Sequence, residues 1–275
     1  MAATPNQGGL WTPAVWQAIN SAVQTTFASI AVARKVFPAV ELPGVMAVPV
    51  DTLTPGTPTT GPLSIPEGQT EPYFEVEVRF SLTYGQVNSD AAGQTALTLA
   101  PLAAKSLAMA EDGLLFQGAA SAGATIMPAP APAAALLGLR TLSPVPVTAP
   151  ATGAHILAAI SGGVGQLIAA SQAPAFALVL GTTAYAATYG SLIGAAPTSN
   201  LLASILTGGI FVSATLPPDR GLLIALGGNP TTIFFSDPPA VEFLYRDTTG
   251  SYVFRVFERV LLMARDTTAF VTLHF

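Results

Sequence analysis

The chain has 275 residues, enough for one large domain or two modest ones with a sizeable buried core. It contains no cysteine, which excludes disulfide frameworks, thiolate zinc sites, iron–sulfur clusters and cysteine nucleophiles. Only 9% of residues are charged, against roughly 25% in an average globular chain, and a net charge of −5 leaves no basic stripe for a nucleic-acid backbone.

The N-terminal segment Met1 to Gln7 has no cationic region, so no secretory signal is expected and a cytoplasmic location follows as the expectation. Thr12-Pro13 starts a helix, with a hydroxyl to accept a backbone N–H and a proline preset for the first helical position. Trp16, Ile19, Val23, Phe27 and Ile30 follow at steps of three and four, one apolar stripe on a helix ending near Arg34-Lys35. That stripe suits a helix docked on its own core or a face for a partner. From Leu42 to Pro72, seven prolines and four glycines forbid a helix or a central strand, which leaves a long protruding loop or an edge hairpin. Phe74, Val76, Val78, Phe80, Leu82 and Tyr84 then alternate with polar residues, predicting a strand with one apolar face.

A second helix is predicted from about Leu99-Pro101 to Phe116, and the Ala/Pro-rich stretch Gly118 to Gly153 reads as an irregular crossing between subdomains. Ala154 to Gly181 is apolar and longer than the roughly 20 residues that span a bilayer. Gly162-Gly163, Gln166, Ser171-Gln172 and Pro174 interrupt it, and no Lys/Arg cluster flanks it, so a helix through Leu167 and a buried strand Phe176 to Leu180 are expected instead of a membrane span. A short helix at Thr198 to Leu206 precedes a strand-rich last third: Ile210–Ala214, Leu222–Leu226, Thr231–Phe235, Val241–Tyr245, Ser251–Met263 and Ala269–Phe275. The pattern is that of an α+β fold.

Signs of chemistry are sparse. His155 and His274 have no second ligand at helical or turn spacing, and no nucleophile elbow or phosphate-cradling loop is present. Gly162-Gly163-Val164-Gly165 lacks the strand-then-helix setting of a dinucleotide site. Adjacent Glu111 and Asp112 point about 100° apart on a helix, which suits ion pairing or capping better than sharing a proton. No catalytic, metal or cofactor-binding residue is assigned, and no enzymatic activity is expected.

Taken in order, several segments resemble the encapsulins, shell proteins of bacterial and archaeal nanocompartments related to the linocin-type bacteriocins and built on the tailed-phage major capsid fold. They are Trp16-Gln17-Ala18-Ile19-Asn20, Ala33-Arg34-Lys35-Val36-Phe37, Val78-Arg79-Phe80-Ser81-Leu82, and above all the run from Pro101 to Gly118, where Glu111-Asp112 and Phe116-Gln117-Gly118 stand as in the closing turns of that family's spine helix. Ala177-Leu178-Val179-Leu180 with Tyr185, the Ser236-Asp237 turn, Tyr252-Val253-Phe254-Arg255-Val256 before Glu258, and Thr272-Leu273-His274-Phe275 continue the match.

The resemblance implies a shell subunit with an N-terminal helix and arm (1–38), an extended loop (39–72), a peripheral domain carrying the spine helix (73–124 and 225–275) and an axial domain (125–224). Many copies would form an icosahedral compartment around a cargo protein, without nucleic acid or membrane as partner. On matching positions a cargo tail would meet Phe27 as an apolar wall, Arg34 as a hydrogen-bonding fork and Asp237 as a polar rim, although Pro38 replaces an acidic residue common in the family. Gly85 stands where some members place a flavin-stacking aromatic ring, so no flavin is expected, and the absence of lysine from Leu42 to Pro72 excludes lysine crosslinking through that loop. Tyr189, Ser191 and Asn200 are candidate lining of a neutral axial pore.

The alternative is a viral or prophage capsid protein packaging nucleic acid, which the charge balance disfavours. A membrane protein or a hydrolase is separated from both by elution in the megadalton range without detergent. The axial region carries only Arg140, Asp219 and Arg220 as charged groups, and few titratable groups means weak proton linkage. Assembled particles are expected to survive pH of about 2 to 3; dissociation in light scattering would contradict this.

Overall fold

The computed structural model describes residues 6–50, 70–88, 93–118, 125–128, 138–142, 146–150, 153–190, 192–193 and 196–275. Helices α1 (Pro13–Ile30) and α2 (Ala33–Val36) form an N-terminal arm, followed by short strands β1 (Ala39–Glu41), β2 (Ala47–Pro49) and β3 (Thr70–Pro72), then β4 (Phe74–Leu82), α3 (Tyr84–Asn88) and the long helix α4 (Gln94–Gln117). Next come β5 (Thr125–Pro128), α5 (Leu139–Leu142), β6 (Val147–Thr148), α6 (Gly153–Ala169), β7 (Phe176–Leu180), α7 (Thr182–Gly190), β8 (Leu192–Ile193), β9 (Ala196–Pro197) and α8 (Thr198–Ala203). The chain ends with β10 (Gly209–Val212), β11 (Arg220–Ala225), β12 (Thr231–Arg246), β13 (Tyr252–Ala264) and β14 (Phe270–His274).

Two five-stranded sheets organise these elements, one in the order β1-β12-β13-β4-β5 and the other β10-β7-β11-β14-β6. In the first sheet only the edge pair β1/β12 is parallel. In the second the outer pairs β10/β7 and β14/β6 are parallel around an antiparallel centre. Helices α1 and α4 cover one face of the first sheet; the main core runs from Trp16 and Leu107 beneath it to Leu178 and Phe270 in the second, and a small separate cluster gathers Val48, Tyr73, Phe234, Leu261 and Met263.

The stripe of α1 is buried at Trp16, Ile19, Val23 and Phe27, and the Thr12 hydroxyl accepts the Val15 N–H, as its sequence requires. The helix stops at Ile30, and α2 is a separate turn. Strand β4 puts Val76 and Leu82 in the core, but it ends at Leu82, Tyr84 opens α3 instead, and Glu77 on its polar face is buried by its ion pairs with Arg79 and Arg255. Its partner β13 puts Phe254 between two rings, Trp11 at 5.5 Å and Phe80 at 5.3 Å, both stacked.

Several elements differ from what local pattern predicts. Helix α4 begins at Gln94, about two turns before its predicted start, so Pro101 lies inside it and leaves the Leu97 carbonyl without an i+4 donor. Burial of Ala96 and Ala100 against the core outweighs that loss. The run Thr182–Gly190, to which the sequence pattern assigns no element, is helix α7. The strands predicted at Thr231–Phe235 and Val241–Tyr245 are one strand, β12, whose register shifts around Pro238-Pro239, where no backbone donor exists. Asn20 Oδ1 accepts the Val241 N–H at 2.8 Å just past that irregularity. Strand β14 lies in the second sheet and β5 in the first. Ala154 to Gly181 folds as α6, a turn and β7, and among the described residues no helix is long and apolar enough to cross a membrane.

Phe254→Ala should lower stability by about 3–5 kcal/mol, because it removes the ring that Trp11 and Phe80 share. Denaturant titration checks this, and a loss below about 1 kcal/mol would show that the stack closes over the gap.

Candidate functional site

The most concentrated chemistry in the described residues lies where the arm meets α4 and β13. The Arg34 guanidinium lies between two rings, with its central carbon 4.7 Å from the Phe27 centroid and 4.7 Å from that of Phe235. Its Nε donates to Glu111 Oε2 at 3.0 Å, and Nη2 donates to Glu111 Oε2 at 2.8 Å and to Glu258 Oε2 at 2.5 Å. One turn of α2, one of α4 and the middle of β13 are thus tied through a single cation. Asp112, the next residue on α4, points elsewhere: it accepts the Val32 N–H at 3.0 Å and the Ala33 N–H at 2.8 Å, capping the start of α2. Lys35 Nζ donates to the Ser29 carbonyl at the end of α1.

These carboxylates are buried: Glu111 and Glu258 are fully enclosed and Asp112 nearly so. Burial lifts the Asp112 carboxyl to about 7, against the Ala33 and Val32 N–H groups that pull it down. Burial, then the Glu111 charge, hold the Glu258 carboxyl well above the usual carboxylate range despite Arg34. Burial alone would lower the Arg34 guanidinium; the Glu258 and Glu111 charges reverse that and hold it above its ordinary value. Glu258 Oε1 has no hydrogen-bond partner among the described residues. Asp112 also reaches the wall of a cleft of about 330 Å³ lined by Ile30, Val32, Lys105, Met109 and Val212.

Of the expected cargo-tail residues, the structure brings Phe27 and Arg34 together, with Phe27 only 2% exposed. Asp237 is elsewhere. It pairs with Arg259 Nη1 at 3.2 Å, and Arg259 points to the opposite face of β13 from its neighbour Glu258. On that outer face Arg255 bonds Glu75, Glu77 and Glu242, and Arg259 bonds Glu75, a ladder that uses each charge against another. Tyr189 is 48% exposed on α7 with its ring 4.5 Å from Tyr185, Asn200 is exposed on α8, and Ser191 lies outside the described residues. Glu258 was the residue that sequence reasoning left without a role. Strand alternation could have found it, since it shares the face of Phe254, Val256 and Val260, where a lone acid needs a buried cation.

Among solved structures, the chain is similar to the virus-like particle of Pyrococcus furiosus, with a TM-score of 0.70, 14% identity, and 94% of this chain and 99% of that one covered. It is also similar to the capsid of Myoviridae phage XM1 (TM-score 0.62, 15% identity, 89% and 91% covered) and to the capsid of an empty GTA particle (TM-score 0.58, 18% identity, 90% of each covered). No curated protein matches the chain by sequence. The chain therefore shares the fold of these capsid and virus-like-particle proteins. The linocin family described as "Encapsulating protein for peroxidase" matches residues 10–261, and the chain belongs to it.

Arg34→Ala should cost about 3–5 kcal/mol, because Glu111 and Glu258 are then buried without their cation. Arg34→Lys should recover only part of it, since one ammonium cannot reproduce the fork. Calorimetric unfolding of both variants checks the ranking, and equal losses would mean that geometry at this cation is unimportant.

Proposed function

We propose that many copies of this chain assemble into a closed, hollow icosahedral shell that encloses a cargo protein, with a structural and non-enzymatic role. The observation that carries this reading is the family match over residues 10–261, whose description names a peroxidase as the enclosed protein. Its surface supports it. Val40, Val45 and Met46 are exposed at the base of the proline-rich stretch, next to the edge strand β1, where a monomer in water gains nothing from showing them. From Gly153 to Pro218 there is no Asp, Glu, Lys or Arg at all, which suits surfaces covered by neighbouring copies. Tyr189, Ser191 and Asn200 would then border a neutral opening that passes small solutes without selecting for charge.

A cargo tail docked at the arm would meet Arg34 as a guanidinium already engaged by two carboxylates, beside a buried Phe27. Its hold would come from apolar contact along the arm, with Asp237 and its Arg259 partner on the far side of the sheet adding nothing to it. The second reading, a phage-type coat around nucleic acid, is favoured by the likeness to phage capsids. It is disfavoured by the net charge of −5 and by the pairing of Arg34 on α2, and of Arg79, Arg255 and Arg259 in the first sheet, with carboxylates.

Size-exclusion chromatography with light scattering, negative-stain imaging and mass spectrometry of co-purifying material tests the proposal. Expected are megadalton hollow particles with a co-purifying protein and little nucleic-acid absorbance. Particles rich in nucleic acid would establish the second reading, and a stable monomer would overturn both.

A further inference from the structure

The junction of arm and spine helix holds more acid than base. Glu111 and Glu258 bond one guanidinium, Arg34, and the buried Asp112 beside them caps α2. The other charged groups facing this cluster are Lys35 on α2, whose amine is turned to the Ser29 carbonyl, and Lys105 on α4, on the wall of the cleft that Asp112 reaches. From α1 and β12 it meets only the rings of Phe27 and Phe235. Fully ionised, the cluster would keep uncompensated negative charge away from water, which a protein interior avoids by retaining a proton. The geometry offers a place for that proton: Glu111 Oε2 and Glu258 Oε2 converge on one nitrogen, Nη2, while Glu258 Oε1 has no other partner among the described residues. The cleft gives water a path to Asp112.

Everything these three carboxyls grip belongs to the arm: the Val32 and Ala33 N–H groups and the Arg34 side chain. We propose that this cluster is a proton-controlled latch, which holds α1 and α2 against α4 and β13 while it retains a proton and loosens its hold on the arm as the pH rises. With the arm docked, burial raises the proton affinity of Asp112 and Glu258 above that of an exposed carboxyl; carboxyls returned to water lose that rise, so docking takes up protons. By linkage, docking is strongest below the ordinary carboxylate range, where both states are protonated. It weakens as pH climbs through Asp112's value of about 7 and on through that of Glu258. Each retained proton gives up to about a tenfold change in the docking equilibrium per pH unit inside that window. The latch operates whether or not the shell holds a cargo.

Amide hydrogen exchange on the full-length protein at about pH 5, 7 and 9, corrected for the intrinsic pH dependence of exchange, tests this. Protection of the arm, residues 13–36, is expected to fall at least about tenfold relative to β7, whose residues are all buried and apolar. Glu258→Gln and Asp112→Asn, neutral at every pH, should each flatten that fall. An arm that tracks β7 across the range, or an unchanged fall in both variants, overturns the proposal. Infrared spectroscopy of the unmutated protein gives an independent readout should a variant not fold. A protonated-carboxyl band persisting near neutral pH supports the latch, and its absence there overturns it.

Discussion

A single partly buried guanidinium ties the arm to the rest of this molecule. Arg34 stands on a four-residue helix that could not hold its place by itself. It is fixed by rings on two sides and carboxylates on two others, supplied by elements as distant in sequence as Phe27 and Glu258. A cation so enclosed is worth its desolvation only when every donor finds an acceptor. That requirement sets where the arm lies, and the capping of α2 by Asp112 then fixes its direction. The long helix α4 is therefore more than a packing element: its closing turns carry the two acids that receive the arm, just before Gly118 at φ +90° ends it.

Charge is partitioned as sharply as it is scarce. The first sheet carries an inner cluster around Arg34 and an outer ladder through Arg255 and Arg259, while the second sheet is held by buried apolar strands such as β7 and β11. The two halves consequently answer to different conditions. Salt and pH act on the first; the second responds chiefly to whatever weakens apolar burial.

Where local pattern and burial agree, the sequence is legible. The stripe of α1, the alternation of β4 and the apolar run of β7 each predict their element, because the face that is apolar is the face that is buried. Local signals fail where tertiary contact overrides them: Pro101 marks a helix start by its chemistry yet lies inside α4, and Pro238-Pro239 reads as a strand break yet is spanned by β12. At the arm junction the pairing and capping roles of Glu111 and Asp112 follow from their adjacency on a helix. Their partners do not, since Val32, Arg34 and Glu258 come together only through the fold. The separation of Asp237 from Phe27 and Arg34 is equally invisible in one dimension, being set by which face of the sheet each strand position takes.

The aromatic packing at the start of the chain has a practical consequence. Trp11 and Trp16 are the chain's two tryptophans, and both lie in the same ring cluster, 5.2 Å apart and against Phe254. Ultraviolet emission from the whole polypeptide therefore originates almost entirely at the arm. The molecule carries a built-in optical reporter for the one segment whose attachment matters most, with no dye or engineered label needed to read it.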